Sequence, residues 1–189
     1  KCNFLEIHDL SLCCRIARIA IPRARSVAYS AQGNYLACGT DSGSLRLYAL
    51  SDKGERFETL NLRTGNSSLV RLCFSGHGDQ LFALTAAGEV YCVSLLTGEI
   101  APYKIIGSPH DAEAFECRAV ACHRDLPLAA FAGTADPQTG TCQVLLVDLE
   151  TGRYVSFQSS QSSYIRSIRF SGGDKLMLIG ESGLECWSL

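Results

Sequence analysis

Four arginines, Arg25, Arg71, Arg118 and Arg166, stand at one recurring place in this chain, a few residues before Ser30, Ser75, His123 and Ser171. A guanidinium presents its donors as a rigid fork that meets a carboxylate or phosphate through two parallel hydrogen bonds. The four marker positions are spaced by 45, 48 and 48 residues, which separates these arginines from scattered surface charge. A plainer reading also fits them: polar side chains at a strand end keep an exposed rim in water. Two long polar stretches lie between Gly98 and Leu149, namely GSPHDAEAFE (107–116) and TADPQTGT (134–141). Within them His110, Asp111, Glu113, Asp136, Pro137 and Gln138 offer a partner carboxylates, an imidazole and an amide. Long loops concentrate binding residues, and they also arise as tolerated surface insertions.

Other chemistry finds little footing. The four histidines, His8, His77, His110 and His123, sit in different parts of the chain with no H-E-x-x-H motif and no i, i+4 pair, so a metal site is not expected. G-x-S-x-G and P-loop patterns do not occur. Carboxylates such as Asp41, Asp79, Asp125 and Glu181 fall in turns, where they cap the backbone. Arg15, Arg18, Arg23 and Arg25 cluster without interleaved aromatics, a weak basis for nucleic-acid binding. No catalytic residue and no cofactor is assigned from these patterns.

The ten cysteines form no C-x-x-C pair, and Cys38, Cys73, Cys92, Cys142 and Cys186 occupy apolar runs. There they read as small buried hydrophobes and reduced thiols, which implies a cytosolic or nuclear setting. With 47% hydrophobic and 19% charged residues the chain can bury a large core. A net charge of −2 gives no general attraction to nucleic acid or anionic lipid. The apolar runs are too short to cross a bilayer as helices, and no signal peptide is evident. Met177 is the only methionine among the 189 residues, so the chain is expected to be a stretch of a longer protein.

The elements that would carry these residues are short strands. In YIRSIRFSGGDKLMLIGESGLECWSL (164–189) bulky apolar and polar residues alternate, then SGGD turns the chain, KLMLIG runs apolar, ESG turns again and LECWSL alternates. Apolar residues on a pleat bounded by Gly, Ser and Asp are strand-and-turn chemistry. The unit repeats. Residues 1–10 read as the last strand of a preceding unit, followed by repeats at 13–50, 55–95, 98–149 and 151–189. Each unit closes in kind, with HDL (8–10), YAL (48–50), VSL (93–95), VDL (147–149) and WSL (187–189). Apart from a possible helical turn near 110–116, helical periodicity is absent.

Four strands per repeat, a period of 40–48 residues and a closing dipeptide in the W-D position resemble WD-repeat β-propellers over essentially the whole chain. YSAQGNYLACGTDSGSLRLYAL (29–50) and FSGGDKLMLIGESGLECWSL (170–189) match best. His8, Tyr48, Val93, Val147 and Trp187 hold the tryptophan position; Asp9, Ala49, Ser94, Asp148 and Ser188 hold the aspartate position. Ser42, Ala87 and Ser182 stand where the family often carries a turn aspartate, and the Gly-His pair is missing, with His110 only a loose candidate. The hydrogen-bonded tetrad of better-kept repeats is therefore not expected, and the blades should rest on apolar packing between sheets.

The resemblance implies an all-β propeller segment of about four four-stranded blades plus one leading strand, part of a ring of seven or eight blades. It places both long loops of the third repeat on one face and the four arginines at the rim of a central channel. His77 falls on the opposite face. A non-enzymatic scaffold is implied, binding protein subunits of a larger assembly through His110, Asp111, Glu113, Asp136–Gln138 and the rim arginines. Two other readings remain: an enzyme or small-ligand binder using the channel, which calls for carboxylates or histidines along it, and docking to a filament or an RNA-containing assembly.

Overall fold

In a computed structural model the described residues form seventeen strands. The structure describes residues 4–11, 13–50, 56–64, 66–103, 115–136, 139–160, 165–171 and 175–189, with the backbone alone at 9, 16, 56–62 and 135–136. No helix occurs among the described residues.

Strands β1 (Phe4–Asp9) and β2 (Cys14–Ala20) form a two-stranded sheet. Three four-stranded sheets follow. The first contains β3 (Ala24–Tyr29), β4 (Tyr35–Thr40), β5 (Ser44–Leu50) and β6 (Arg56–Arg63). The second contains β7 (Leu69–Phe74), β8 (Gln80–Thr85), β9 (Val90–Ser94) and β10 (Ile100–Pro102). The third contains β11 (Glu116–Cys122), β12 (Leu128–Asp136), β13 (Thr141–Asp148) and β14 (Tyr154–Gln158). A three-stranded sheet of β15 (Ile165–Ser171), β16 (Lys175–Gly180) and β17 (Gly183–Ser188) ends the series. Every sheet is an antiparallel meander in chain order. The sheets are offset by one strand from the sequence repeats, because each repeat's leading strand pairs with the closing strand of the repeat before it.

Alternation along the strands explains how the sheets stack. Successive side chains point to opposite faces, so each central strand feeds two interfaces. In β12, Ala129 and Phe131 pack with Phe82, Leu84 and Val90 of the second sheet, whereas Ala130 and Ala132 pack with Ile165, Ile168, Leu176 and Leu178 of the last. Ala37, Leu45 and Leu47 meet Leu69, Leu81 and Val93 in the same way, and Leu36, Cys38 and Tyr48 meet Ile19 and Ile21. Four apolar clusters thus join consecutive sheets, as the missing aspartates led one to expect. Trp187 adds a contact within the last interface, its ring 5.9 Å from that of Phe157.

Both ends of the series leave an apolar face uncovered. Val27 and Tyr29 pair across the ladder with Cys38 and Leu36 and share their face. Both are 50% exposed, whereas Ala24 at the start of the same strand packs against the cluster of Ile19 and Ile21. At the other end Ile179 pairs with Leu184 and Met177 with Cys186, facing away from the buried Leu176 and Leu178. Cys186 is exposed on that face, where its place in a strand led one to expect burial.

The marker residues lock turns. Ser30 and Ser75 each accept a backbone N–H through Oγ, from Tyr35 at 3.0 Å and Gln80 at 3.1 Å. His123 does the same with Nδ1, which accepts the N–H groups of Asp125 and Leu126, both at 3.0 Å, while its ring meets Phe170 edge-on at 5.1 Å. This buried histidine is a structural acceptor. At the other end of the sheets Thr40 and Thr85 accept the N–H groups of Ser44 and Glu89, bracing turns where the family's aspartate is absent. His123→Ala strands two N–H groups and removes ring packing, so it should cost about 2 kcal/mol and lower the melting temperature by roughly 5 °C; a scanning calorimetry trace checks this.

Candidate partner-binding site

The four innermost strands begin at one end of the sheets, here called the upper end, and each carries an irregularity there. The ladder register shifts between Ala24 and Ser26, Leu69 and Arg71, Cys117 and Ala119, and Ile165 and Ser167. A β-bulge places one extra residue on one strand and re-aims the side chain next to it. The extra residue is Arg25, Val70, Arg118 or Arg166, and Arg71 follows its bulge directly. The recurring arginines of the sequence are thus tied to a recurring bulge, which sequence periodicity alone did not reveal. A signal exists in hindsight: the strand opposite ends in Gly-Thr at 39–40 and 133–134 and in Gly180, and glycine makes room for the bulge.

Arg25 and Arg71 line a channel-side cavity of about 610 Å3 with Arg169 and the inner strands β3, β7, β11 and β15. Arg71, Arg118 and Arg166 come together in a second pocket of about 310 Å3 at the upper end, floored by Val70, Leu84, Thr85, Ala86 and Cys117. Three sheets contribute one arginine each. Arg71 is held in place by two carbonyls, donating from Nη1 to Val70 O at 3.1 Å and from Nη2 to Arg166 O at 3.2 Å. Arg118 pairs with Glu116, Nη2 to Oε1 at 2.7 Å. Among the described residues no carboxylate or acceptor meets the guanidinium of Arg25 or Arg166. The pocket therefore concentrates three positive charges against one negative charge.

The N-terminal arginines are engaged differently. Arg15 and Arg18 pair with Glu6 at 3.0 and 3.5 Å, Arg18 also lies over the Phe4 ring, and Arg23 approaches Asp41 at 3.8 Å. These exposed contacts spend their charge locally.

The loop residues are placed only in part. His110, Asp111, Glu113, Pro137 and Gln138 lie outside the described residues, as does nearly all of the turn considered near 110–116. Glu116 belongs to β11 and Asp136 to β12, which shortens both loops relative to the sequence boundaries. Their anchors stand together: Glu116 pairs with Thr134 and Asp136 with Thr141, at the same upper end as the arginine pocket. His77 follows β7 at the other end, in the turn between Ser75 and Gln80.

Carboxylates and imidazoles are absent from the described lining of both the cavity and the pocket. Among the described residues no three His, Cys, Asp or Glu side chains gather as a metal site. Burial pushes the Cys38 and Cys92 thiols up to about 11 and that of Cys117 up to about 12, so these cysteines stay neutral and pack as hydrophobes.

No protein-family model matches the chain, and no curated protein does. Solved structures do. The β-propeller domain of Cps50 (Swd1) from Myceliophteria thermophila superposes with a TM-score of 0.77 at 15% identity, covering 98% of this chain and 59% of that one. Hydrazine synthase from Kuenenia stuttgartiensis gives 0.72 at 14% identity, covering 94% and 49%. The WD40 repeats of RRP9 give 0.68 at 8% identity, covering 88% and 48%. This chain has a β-propeller fold and spans about half to three fifths of the length of these structures.

Proposed function

We propose that this chain is part of a non-enzymatic WD-repeat-like scaffold that holds protein subunits of a larger intracellular assembly, in the cytosol or nucleus. Its partners dock at the upper end through an acidic or phosphorylated segment. The observation that carries this reading is the pocket in which Arg71, Arg118 and Arg166 converge from three sheets, Glu116 outside its lining being the carboxylate paired with Arg118. Positioned guanidinium groups form charge-assisted bidentate bonds with carboxylate or phosphate, and the carbonyl contacts of Arg71 preorganise one of them. We assign the third-repeat loops, with His110, Asp111, Glu113 and Asp136–Gln138, to the same docking surface, because the strand residues Glu116 and Asp136 that flank them stand at the pocket's end of the sheet. The channel reading lacks such support, because the described lining supplies neither the acid–base pair nor the metal ligands that it requires.

The test uses fluorescent hexaglutamate and phosphoserine peptides, read by anisotropy against the protein and against its Arg71→Glu/Arg118→Glu/Arg166→Glu variant. Affinity should fall about tenfold or more in the variant and remain unchanged in Arg153→Glu, an exposed arginine remote from the pocket in sequence. Deleting 107–114 should weaken capture of cellular partners while leaving the melting temperature within about 2 °C. Equal peptide binding by the wild type and the triple variant would refute the arginine site.

A further inference from the structure

Cys73 and Cys122 lie 49 residues apart, yet they meet at the channel wall. Cys73 belongs to β7 and Cys122 to β11, and both line the cavity of about 610 Å3. The Cys122 backbone N–H donates to Cys73 Sγ at 3.1 Å, which places the second cysteine's backbone against the first one's sulfur. Cys92 is the third thiol of the neighbourhood, packed in the same apolar cluster.

We propose that Cys73 and Cys122 are an oxidation site that closes into an inter-sheet disulfide when a small peroxide enters the channel. The geometry suits this: Cys73 Sγ lies against the backbone of Cys122 across two packed sheets, and the cavity that both line admits a molecule the size of hydrogen peroxide. Cys73 attacks first. Its contacts with Cys122, the side chain first and then the backbone N–H, hold the Cys73 thiol's pKa below its usual range against the opposing effect of burial. The Cys73 thiolate attacks one peroxide oxygen, so an S–O bond forms as the O–O bond breaks; the departing hydroxide takes up the Cys73 proton as water. Cys122 sulfur then attacks the Cys73 sulfenic acid, forming the S–S bond and releasing a second water. Two thiols lose two electrons and one peroxide gains them. A dithiol reductant reverses the step by exchange. The closed bond ties β7 to β11 next to Arg71 and Arg118, and locks the two sheets whose arginines share the upper pocket.

Hydrogen peroxide is added to the full-length protein, remaining thiols are alkylated, and the unreduced protein is digested with trypsin for mass spectrometry. Cleavage after Arg71, Lys104, Arg118 and Arg124 yields peptides 72–104 and 119–124, expected as one cross-linked species that dithiothreitol separates. Peptide 72–104 carries both Cys73 and Cys92, so fragmentation of the wild-type species must place the bond at residue 73. The species should persist in Cys92→Ser and vanish in Cys73→Ser, and the oxidised wild type should melt about 5–10 °C higher than the reduced protein. Its absence at a peroxide dose that oxidises the exposed Cys186 overturns the proposal. So does a bond mapped to residue 92, a readout that needs no variant to fold.

Discussion

Replacing Phe131 by alanine should destabilise the protein by about 3–5 kcal/mol, lowering the melting temperature by roughly 10 °C. Phe131 is fully buried at the interface between the second and third sheets. Its ring meets Phe82 edge-on at 5.8 Å and stacks on Tyr103 at 5.5 Å, and Phe82 and Tyr103 meet at 5.1 Å. The strand around it is built of alanines: Ala129, Ala130 and Ala132 are all fully buried. No neighbouring side chain on β12 is long enough to fill the space vacated, so a cavity remains and the aromatic trio loses its middle member. The uncovered end of the series offers a control. Ile179→Ala removes a side chain that is already 45% exposed, and it should cost under about 1 kcal/mol. Urea denaturation of both variants compares them directly, and equal losses would show that Phe131 is not packed as described.

That contrast bears on what the sequence could disclose. Strands packed on both faces read as apolar runs, such as YLACGT and QLFALT, and strands with one wet face as a period of two; with the turns between them, sixteen of the seventeen described strands are legible. Strand β10 is not: it has three residues and ends in Pro102, which cannot donate to a ladder, so it shows neither alternation nor length. The offset between repeat and sheet is hidden for another reason. Repetition records the period but not which strands hydrogen-bond, and pairing is decided by the turns. The burial of cysteines depends on what covers a face, which is why Cys186 follows the strand pattern and still meets solvent.

The candidate site divides along the same line. Recurrence of arginine is visible because it needs only a count. The convergence of Arg71, Arg118 and Arg166 on one pocket, with Arg25 on the channel-side cavity instead, is a matter of how the sheets stack and leaves no trace in a count, since Arg25, Arg118 and Arg166 hold the same place in their bulges and only Arg71 is shifted by one residue. The Cys73–Cys122 contact had a signal that was not used. Cys73 precedes its marker Ser75 by two residues and Cys122 precedes His123 by one. Residues one step apart in a strand point to opposite faces, so a separation of one period plus one residue aims two side chains at each other across an interface. The loop residues have no such rule, since nothing periodic governs an insertion.

The bulges make a second strong prediction. A methyl group at Gly133 would fall inside the van der Waals shell of the Glu116 carbonyl oxygen, with the carbonyl carbon at 2.9 Å and Cys117 Cα at 3.0 Å. All three obstacles are backbone, so β11 itself must move away from β12 at the bulge that presents Arg118. Gly133→Ala should therefore cost about 3 kcal/mol, the upper range for overpacking, and weaken hexaglutamate binding as Arg118 is displaced. Gly39 holds a comparable place opposite the bulge of β3, but its nearest obstacle is the Ser26 hydroxyl at 2.6 Å, with Leu69 Cβ at 2.7 Å. A hydroxyl can rotate, although its hydrogen bond to Leu69 O is then lost, so Gly39→Ala should cost less, about 2 kcal/mol. Gly33 separates space from conformation: nothing lies within 4 Å of its added methyl, but its φ is +76°, a conformation costing an alanine about 1 kcal/mol. The order Gly133, Gly39, Gly33 in falling cost, measured by calorimetry, is the expected result. If Gly33→Ala proves the most harmful, backbone strain in the turn at the opposite end of the sheets outweighs crowding at the bulges. If Gly133→Ala melts like the wild type, β11 and β12 do not approach as closely as the bulge requires.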